Sequence, residues 1–144
     1  MSYIKVYVHY VWSTKNRMPY LNENIRTQVF RHIRENAKLK NIYIDFINGY
    51  TEHVHCLVSM NEDLSIGKIA QLIKGESSFW VNKNRLTMQK FAWQDEYLAI
   101  GVDVNKLSIV RNYIANQVEH HQKITFSEEY EKFIERYGFN ILKK

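Results

Sequence analysis

The chain of 144 residues contains one cysteine, one proline and five glycines, and each scarcity removes a class of explanation. A lone thiol, Cys56, closes no internal disulfide, and without a Cys-x-x-Cys partner it offers no structural zinc site. Its place directly after His55, in an alternating apolar segment, makes it a small core residue on the Val54 face. With so little proline and glycine, and no block of like charge, nothing marks a linker, repeat or boundary, so 1–144 reads as one domain. Apolar runs fall far short of a bilayer span, and Met1-Ser2-Tyr3-Ile4-Lys5 lacks the charged-then-apolar order of a signal peptide. The expectation is a cytoplasmic protein that spans no membrane. No Gly-x-x-x-x-Gly-Lys phosphate loop occurs, since Gly67-Lys68 lacks the upstream glycine, which argues against ATP-driven chemistry.

What is abundant points elsewhere. Hydrophobic residues make up 45% of the chain and aromatics 14%, enough for a packed core and too much for disorder. Twenty Lys+Arg against 15 Asp+Glu give a net charge of +5, which biases the partner toward polyanions.

The hydrophobic pattern changes period along the chain. Residues 3–13 are β-branched and aromatic, a strand signal, and lead into a basic turn, Thr14-Lys15-Asn16-Arg17, that ends at Pro19. From Leu21 to Leu39, Ile25, Val29, Ile33 and Ala37 recur at helical spacing, with Asn22 as cap and the arginines solvated. Residues 42–50 and 53–60 read as a hairpin turning at Thr51-Glu52. Ser65 to Asn82 is a second helix with Ile66, Ile69, Ile73 and Trp80 on one stripe. Trp93 to Asp103 is a fourth strand, Asn105 to Lys123 a third long helix, and Glu128 to Tyr137 a short amphipathic tail. This order predicts an α+β, ferredoxin-like βαββαβ sandwich: an antiparallel sheet, two helices on one face, and an appended C-terminal helix bearing Tyr113. The other sheet face is then free to hold chemistry.

Two motifs carry that chemistry. In a strand, residues i and i+2 share a face, so His53 and His55 project side by side as a bidentate metal clamp while Val54 turns inward. On the third helix, with about 100° per residue, Tyr113, Gln117 and His120 fall within an arc of roughly 60° beside the apolar stripe Leu107, Val110, Ile114, Val118 and His121. A hydroxyl and an amide one turn apart can reach the same ion and the same phosphate.

His-hydrophobic-His on a strand, followed by Tyr-x-x-x-Gln on a helix of a small ferredoxin-like domain, resembles the single-tyrosine HUH transposases of the insertion-sequence TnpA type, the IS200-like family. The resemblance covers nearly the whole chain and includes, more weakly, Thr14-Lys15-Asn16-Arg17 and Leu72-Ile73-Lys74-Gly75 with Ser77-Ser78. It implies that Tyr113 is the nucleophile and that His53, His55 and Gln117 are ligands of a divalent ion, Mg2+ or Mn2+. Glu52 and Asn116 match no required position, and His120-His121 adds imidazoles outside the pattern, with His120 expected solvated and His121 against the core. The implied reaction is metal-assisted, ATP-independent cleavage and rejoining of single-stranded DNA, in hairpin-forming element ends, through a 5′-phosphotyrosine. A phenol with a pKa of about 10 needs charge cancelled at the phosphate before it attacks.

Lys15, Arg17, Lys68 and Lys74 are the candidate backbone contacts. The resemblance further implies a homodimer, with tyrosine helices exchanged between subunits or docked in their own. Three other readings share these residues: a domesticated DNA- or RNA-binding regulator without strand transfer, a Rep- or relaxase-like nicking enzyme, and a metal-dependent hydrolase using water.

Overall fold

The computed structural model describes residues 2–139. Four strands, β1 (Tyr7–Ser13), β2 (Tyr43–Gly49), β3 (His53–Ser59) and β4 (Leu98–Val102), form one sheet in the order β2-β3-β1-β4, every neighbouring pair antiparallel. The α+β, ferredoxin-like expectation holds. The first strand starts at Tyr7 rather than residue 3, and the fourth is shorter than its apolar run, Trp93 contributing only an isolated bridge to Thr14.

Helices α1 (Glu23–Leu39) and α2 (Ile66–Lys83) cover one face of the sheet. Asn22 caps α1 by accepting from the Ile25 N–H, and Ser65 caps α2 by accepting from the Lys68 N–H, each satisfying an orphan donor of the first turn. Val8, Tyr10 and Trp12 of β1 and Val54, Cys56 and Val58 of β3 point to this face and pack on Val29, Phe30 and Ile33 of α1 and Ile69 and Ile73 of α2. Cys56 is fully buried there, as its position after His55 implies. Arg26 departs from the expected solvated arginines: it is buried, donates to the Leu21 carbonyl at 2.8 Å and lies over the Tyr50 ring.

Alternation sends His9 and Val11, and His53, His55 and Leu57, to the opposite face. That face is not open, because α3 (Leu107–Ala115), α4 (Gln117–His121) and α5 (Phe126–Arg136) lie over it. The single long helix expected over 105–123 is divided: it opens with a 3-10 turn, Val104–Lys106, and breaks at Asn116. Two carbonyls exposed by the break, those of Ile114 and Ala115, accept from Asn48 Nδ2 at 3.0 and 3.2 Å. Arg111 grips Asp45, at the β2 bulge, through two bonds of 2.7 Å, and Ile114 and Leu107 pack on Leu57. These contacts set the height of α3 above the histidine pair. Val118, expected on the buried stripe, is exposed, because the break rotates α4.

Candidate active site

Strand β3 delivers His53 and His55 side by side, their ring centroids 5.1 Å apart and both rings fully buried. Each ring has its Nδ1 engaged. Glu52 lies 2.6 Å from His53 Nδ1, and His9, across on β1, puts its Nε2 2.9 Å from His55 Nδ1. A carboxylate accepts only from a protonated ring nitrogen, so Glu52 leaves the His53 Nε2 lone pair free. Both Nε2 atoms then face the same point.

Around that point the helices add further side chains. Gln117 Oε1 of α4 is 2.9 Å from His53 Nε2 and 3.0 Å from His121 Nε2. Glu129 of α5 is nearly inaccessible and divides its two oxygens: Oε1 lies 3.0 Å from His55 Nε2 and 3.5 Å from His53 Nε2, while Oε2 accepts the Tyr113 hydroxyl. His120 Nε2 is 3.0 Å from Glu129 Oε2 but lacks the alignment of a hydrogen bond, leaving a buried ring nitrogen without a partner. Tyr113 stands edge-on to His55, ring centroids 5.5 Å apart. The four residues that the sequence singles out, His53, His55, Tyr113 and Gln117, therefore meet within one chain, although the last two sit on different helices.

His120 and His121 both reach Glu129, so neither is simply solvated or laid against the core. Sequence reasoning missed Glu129, Glu52 and His9. The signal for Glu129 was present: Phe126, Tyr130 and Phe133 form the apolar stripe of α5, and Glu129 occupies the position between them at helical spacing, a carboxylate on a core-facing row. His9 likewise sits at an inward position of a strand. Helix α5 is set locally by a capping box, Thr125 with Glu128, which stabilises such a start by about 1 kcal/mol.

The electrostatics follow from this crowding. Burial pushes His9 down to about 3, with the neighbouring His55 adding to the effect. Burial also lowers His55, to about 4, against the opposing pull of Glu129. Burial alone would raise Glu129, yet its contacts with His121 and His55 hold its carboxyl far below the ordinary range. Tyr113 is raised by burial and by the Glu129 charge, which keeps the phenol protonated in the metal-free protein.

The donor set fits a divalent cation. His53, His55 and Glu129 present ligand atoms within 4.8 Å of one another, and His120, His121 and Glu129 do the same. Ligands held about 2.1 Å from one ion at right angles stand about 3 Å apart, and His53 Nε2 lies 2.9 Å from Gln117 Oε1 and 3.5 Å from Glu129 Oε1, which in turn lies 3.0 Å from His55 Nε2. Imidazole donors beside a single carboxylate suit a first-row transition ion better than Ca2+, which takes oxygen ligands. The orphaned His120 nitrogen is a further donor awaiting a partner.

The four basic residues expected to meet DNA are dispersed. Asn16 and Arg17 both take left-handed backbone conformations, with φ of 57° and 54°. That turn sends the Arg17 guanidinium to the Ser127 hydroxyl and over the Phe126 and Tyr130 rings, and the Phe126 ring in turn stacks on His53. Lys74 donates to the Asp95 carbonyl at 2.8 Å on the far side of the sheet. Lys15 and Lys68 are exposed.

A family model described as transposase IS200 like matches residues 2–117, so α5 and most of α4 lie beyond the matched segment. Two solved structures are similar in fold. A candidate transposase from Deinococcus radiodurans R1 is 20% identical with a TM-score of 0.66, covering 81% of this chain and 93% of that one. A REP-associated tyrosine transposase bound to a REP hairpin is 18% identical with a TM-score of 0.64, covering 86% of this chain and 73% of its own. No curated protein matches the sequence. No helix among the described residues is long and apolar enough to cross a membrane.

Proposed function

The chain belongs to the IS200-like transposase family, and on that premise we propose that it cleaves and rejoins single-stranded DNA at insertion-sequence ends through a 5′-phosphotyrosine on Tyr113. The observation that carries this reading is the meeting of Tyr113, through Glu129, with the converging His53, His55 and Gln117 side chains. A hydrolase would have no need of a phenol in that position.

His53, His55, Gln117 and Glu129 would hold Mg2+ or Mn2+, which supplies Lewis acidity toward a non-bridging phosphate oxygen. Without it the site carries an uncompensated Glu129 carboxylate beside the nucleophile, a poor host for a phosphodiester. Tyr113 Oη gives up its proton and attacks phosphorus, the bond to the 3′ oxygen breaks, and that oxygen takes up one proton in its place and leaves as a free 3′-hydroxyl. The phenol proton already lies on a hydrogen bond to Glu129 Oε2, the nearest acceptor for it. Because the phosphotyrosine is itself a phosphodiester, a second 3′-hydroxyl can reverse the step on another strand, so no ATP is consumed.

A duplex would bury the phosphate geometry this attack needs, so the substrate is a single strand, folded into a hairpin at the element end. The REP-associated tyrosine transposase of similar fold is bound to a REP hairpin. The protein acts in the cytoplasm. The fold has two sheet edges, β2 and β4, through which a homodimer could form. Tyr113 stands beside its own chain's His55, which supports the reading in which each tyrosine helix docks in its own subunit; exchange between subunits is the other arrangement.

The test is a denaturing gel after incubation with Mn2+ and labelled single-stranded DNA from the flanks of the gene. The wild type is expected to form a covalent adduct that Tyr113→Phe and His55→Ala abolish. DNA binding without any adduct, unaffected by Tyr113→Phe, would establish a non-catalytic DNA-binding regulator instead.

A further inference from the structure

The cleft that reaches the nucleophile has a composition of its own. About 450 Å³ in volume, it lies between α3 and α5 and is lined by Tyr113, His120 and the buried Glu129. Lys106, at the start of α3, and Lys132 and Arg136, on α5, are exposed along its rim. Among the described residues none of these three cations has a carboxylate within 4.0 Å, in contrast to Arg111, which Asp45 neutralises. Phe133 and Tyr137 complete the α5 wall with rings stacked at 16°, the Arg136 guanidinium lies over the Tyr137 ring 5.6 Å from its centroid, and Tyr137 remains 44% exposed. Cations without a carboxylate partner, spaced along a groove beside a partly exposed aromatic ring, are the two features that bind single-stranded nucleic acid: the cations follow the phosphates and the ring stacks on a base, which here takes the place of the Arg136 guanidinium on Tyr137 as that cation turns to a phosphate.

We infer that the strand carrying the scissile phosphate lies in this α3–α5 cleft, its phosphates received by Lys106, Lys132 and Arg136 and one base stacked on Tyr137. The inference rests on Tyr113 being the attacking group. It moves the DNA path away from Lys68 and Lys74, which belong to the helix on the other sheet face, and assigns it to α5, beyond the family-matched residues. Arg17 stays at the edge of the site, its guanidinium already taken up by Ser127, Phe126 and Tyr130.

The test uses the full chain carrying Tyr113→Phe, without metal, so that binding is read apart from chemistry. Affinity for a fluorescein-labelled single strand of about 16 nucleotides is measured by anisotropy across a salt series. Lys132→Glu/Arg136→Glu is compared with Lys38→Glu/Lys83→Glu, an equal charge change on exposed positions of α1 and α2. The cleft pair is expected to weaken binding at least tenfold and to flatten the salt dependence by about 1.4 in log–log slope, roughly 0.7 for each phosphate that is no longer neutralised. The control pair is expected to change affinity by less than about threefold. Lys132→Gln/Arg136→Gln, verified by an unchanged Tm, repeats the measurement without introducing repulsion and is expected to weaken binding in the same direction.

Equal losses for the two charge-reversed pairs, no loss for the cleft pairs, or no binding by the parent protein would each overturn the inference. With Tyr113 restored and Mn2+ added, an adduct formed normally by Lys132→Gln/Arg136→Gln that also binds normally removes the inference and leaves the proposed reaction standing. Loss of binding by the cleft pairs together with no adduct from the Tyr113 protein removes the proposed reaction, and with it the scissile strand, and leaves only a groove that binds single strands.

Discussion

The Tyr113 hydroxyl donates to Glu129 Oε2 while Oε1 of the same carboxylate lies 3.0 Å from His55 Nε2, so one side chain joins the phenol to the imidazole pair. Tyr113 comes from α3 and Glu129 from α5, and their contact closes the cluster over the sheet. The charge of Glu129 balances the cation the site is suited to hold, and in the cation's absence it opposes ionisation of the phenol. A carboxylate in that position couples any bound cation to the protonation of the Tyr113 phenol.

Replacing Glu129 by Gln keeps the shape and removes the charge. Mn2+ affinity, read by calorimetry on the otherwise unaltered protein, is expected to fall at least about tenfold, since ligand charge sets much of the affinity of a hard-cation site. An unchanged Kd would show that Glu129 takes no part in holding the ion.

Glu52 touches no converging ligand atom itself, yet its carboxylate lies 2.6 Å from His53 Nδ1. Glu52→Ala frees that ring to rotate and to change tautomer, and metal affinity is expected to drop about 10–100-fold, the usual cost of removing such a partner. Glu52→Gln, which still accepts a hydrogen bond, should recover part of the loss. Equal affinities for wild type and Glu52→Ala would refute the role.

Acid should unfold the metal-free protein early. His9 and His55 titrate at about 3 and about 4 in the fold and at their ordinary 6.5 when unfolded. A group with a lowered folded value is neutral in the native state, so its contribution is complete above pH 6.5 and is lost as pH falls toward the folded value. Each unit of difference is worth about 1.4 kcal/mol, so a loss of a few kcal/mol is expected between pH 6.5 and 4. His121 works in the opposite sense: burial would lower it, but the Glu129 contact raises it, and its contribution is present at low pH and lost above that raised value. Tm is expected to be level near neutrality and to fall below pH 6.5. A Tm that holds or rises down to pH 4.5 would contradict the assignment of two neutral buried imidazoles.

Gly49 connects stability to the site. A Cβ there would stand 2.1 Å from the His53 carbonyl oxygen and 3.1 Å from the Phe30 ring, so the hairpin must open to admit it. Gly49→Ala is expected to lower stability by about 2–4 kcal/mol in urea unfolding and to weaken Mn2+ binding by displacing His53. Full retention of both would mean that the β2–β3 turn yields more readily than its packing implies.

The strand and helix order, the caps at Asn22 and Ser65, the shared face of His53 and His55 and the inward turn of Val54 and Cys56 were legible in the sequence, because each follows from a local period or a local hydrogen bond. The break at Asn116 was not. Periodicity runs through it unaltered, and its free carbonyls are satisfied by Asn48 from a strand distant in sequence. The candidate site divides the same way. His53, His55, Tyr113 and Gln117 were readable as motifs: the strand sets the spacing of the two histidines, and Gln117, though it opens α4, still lies one turn from Tyr113, its Nε2 donating to the Tyr113 carbonyl at 3.3 Å. The partners that orient and charge them, His9 from β1, Glu52 from the turn and Glu129 from α5, belong to no shared motif.

Sequence alone therefore determined which metal-ligating and hydroxyl-bearing residues this protein has and which face of its own element each occupies, because backbone geometry dictates side-chain direction over a few residues. Only the tertiary structure decided that α5 folds back to place Glu129 between Tyr113 and the histidines. That choice depends on burying Phe126, Tyr130 and Phe133 against Val11 and Leu98, a packing energy summed over separate elements that no local pattern contains.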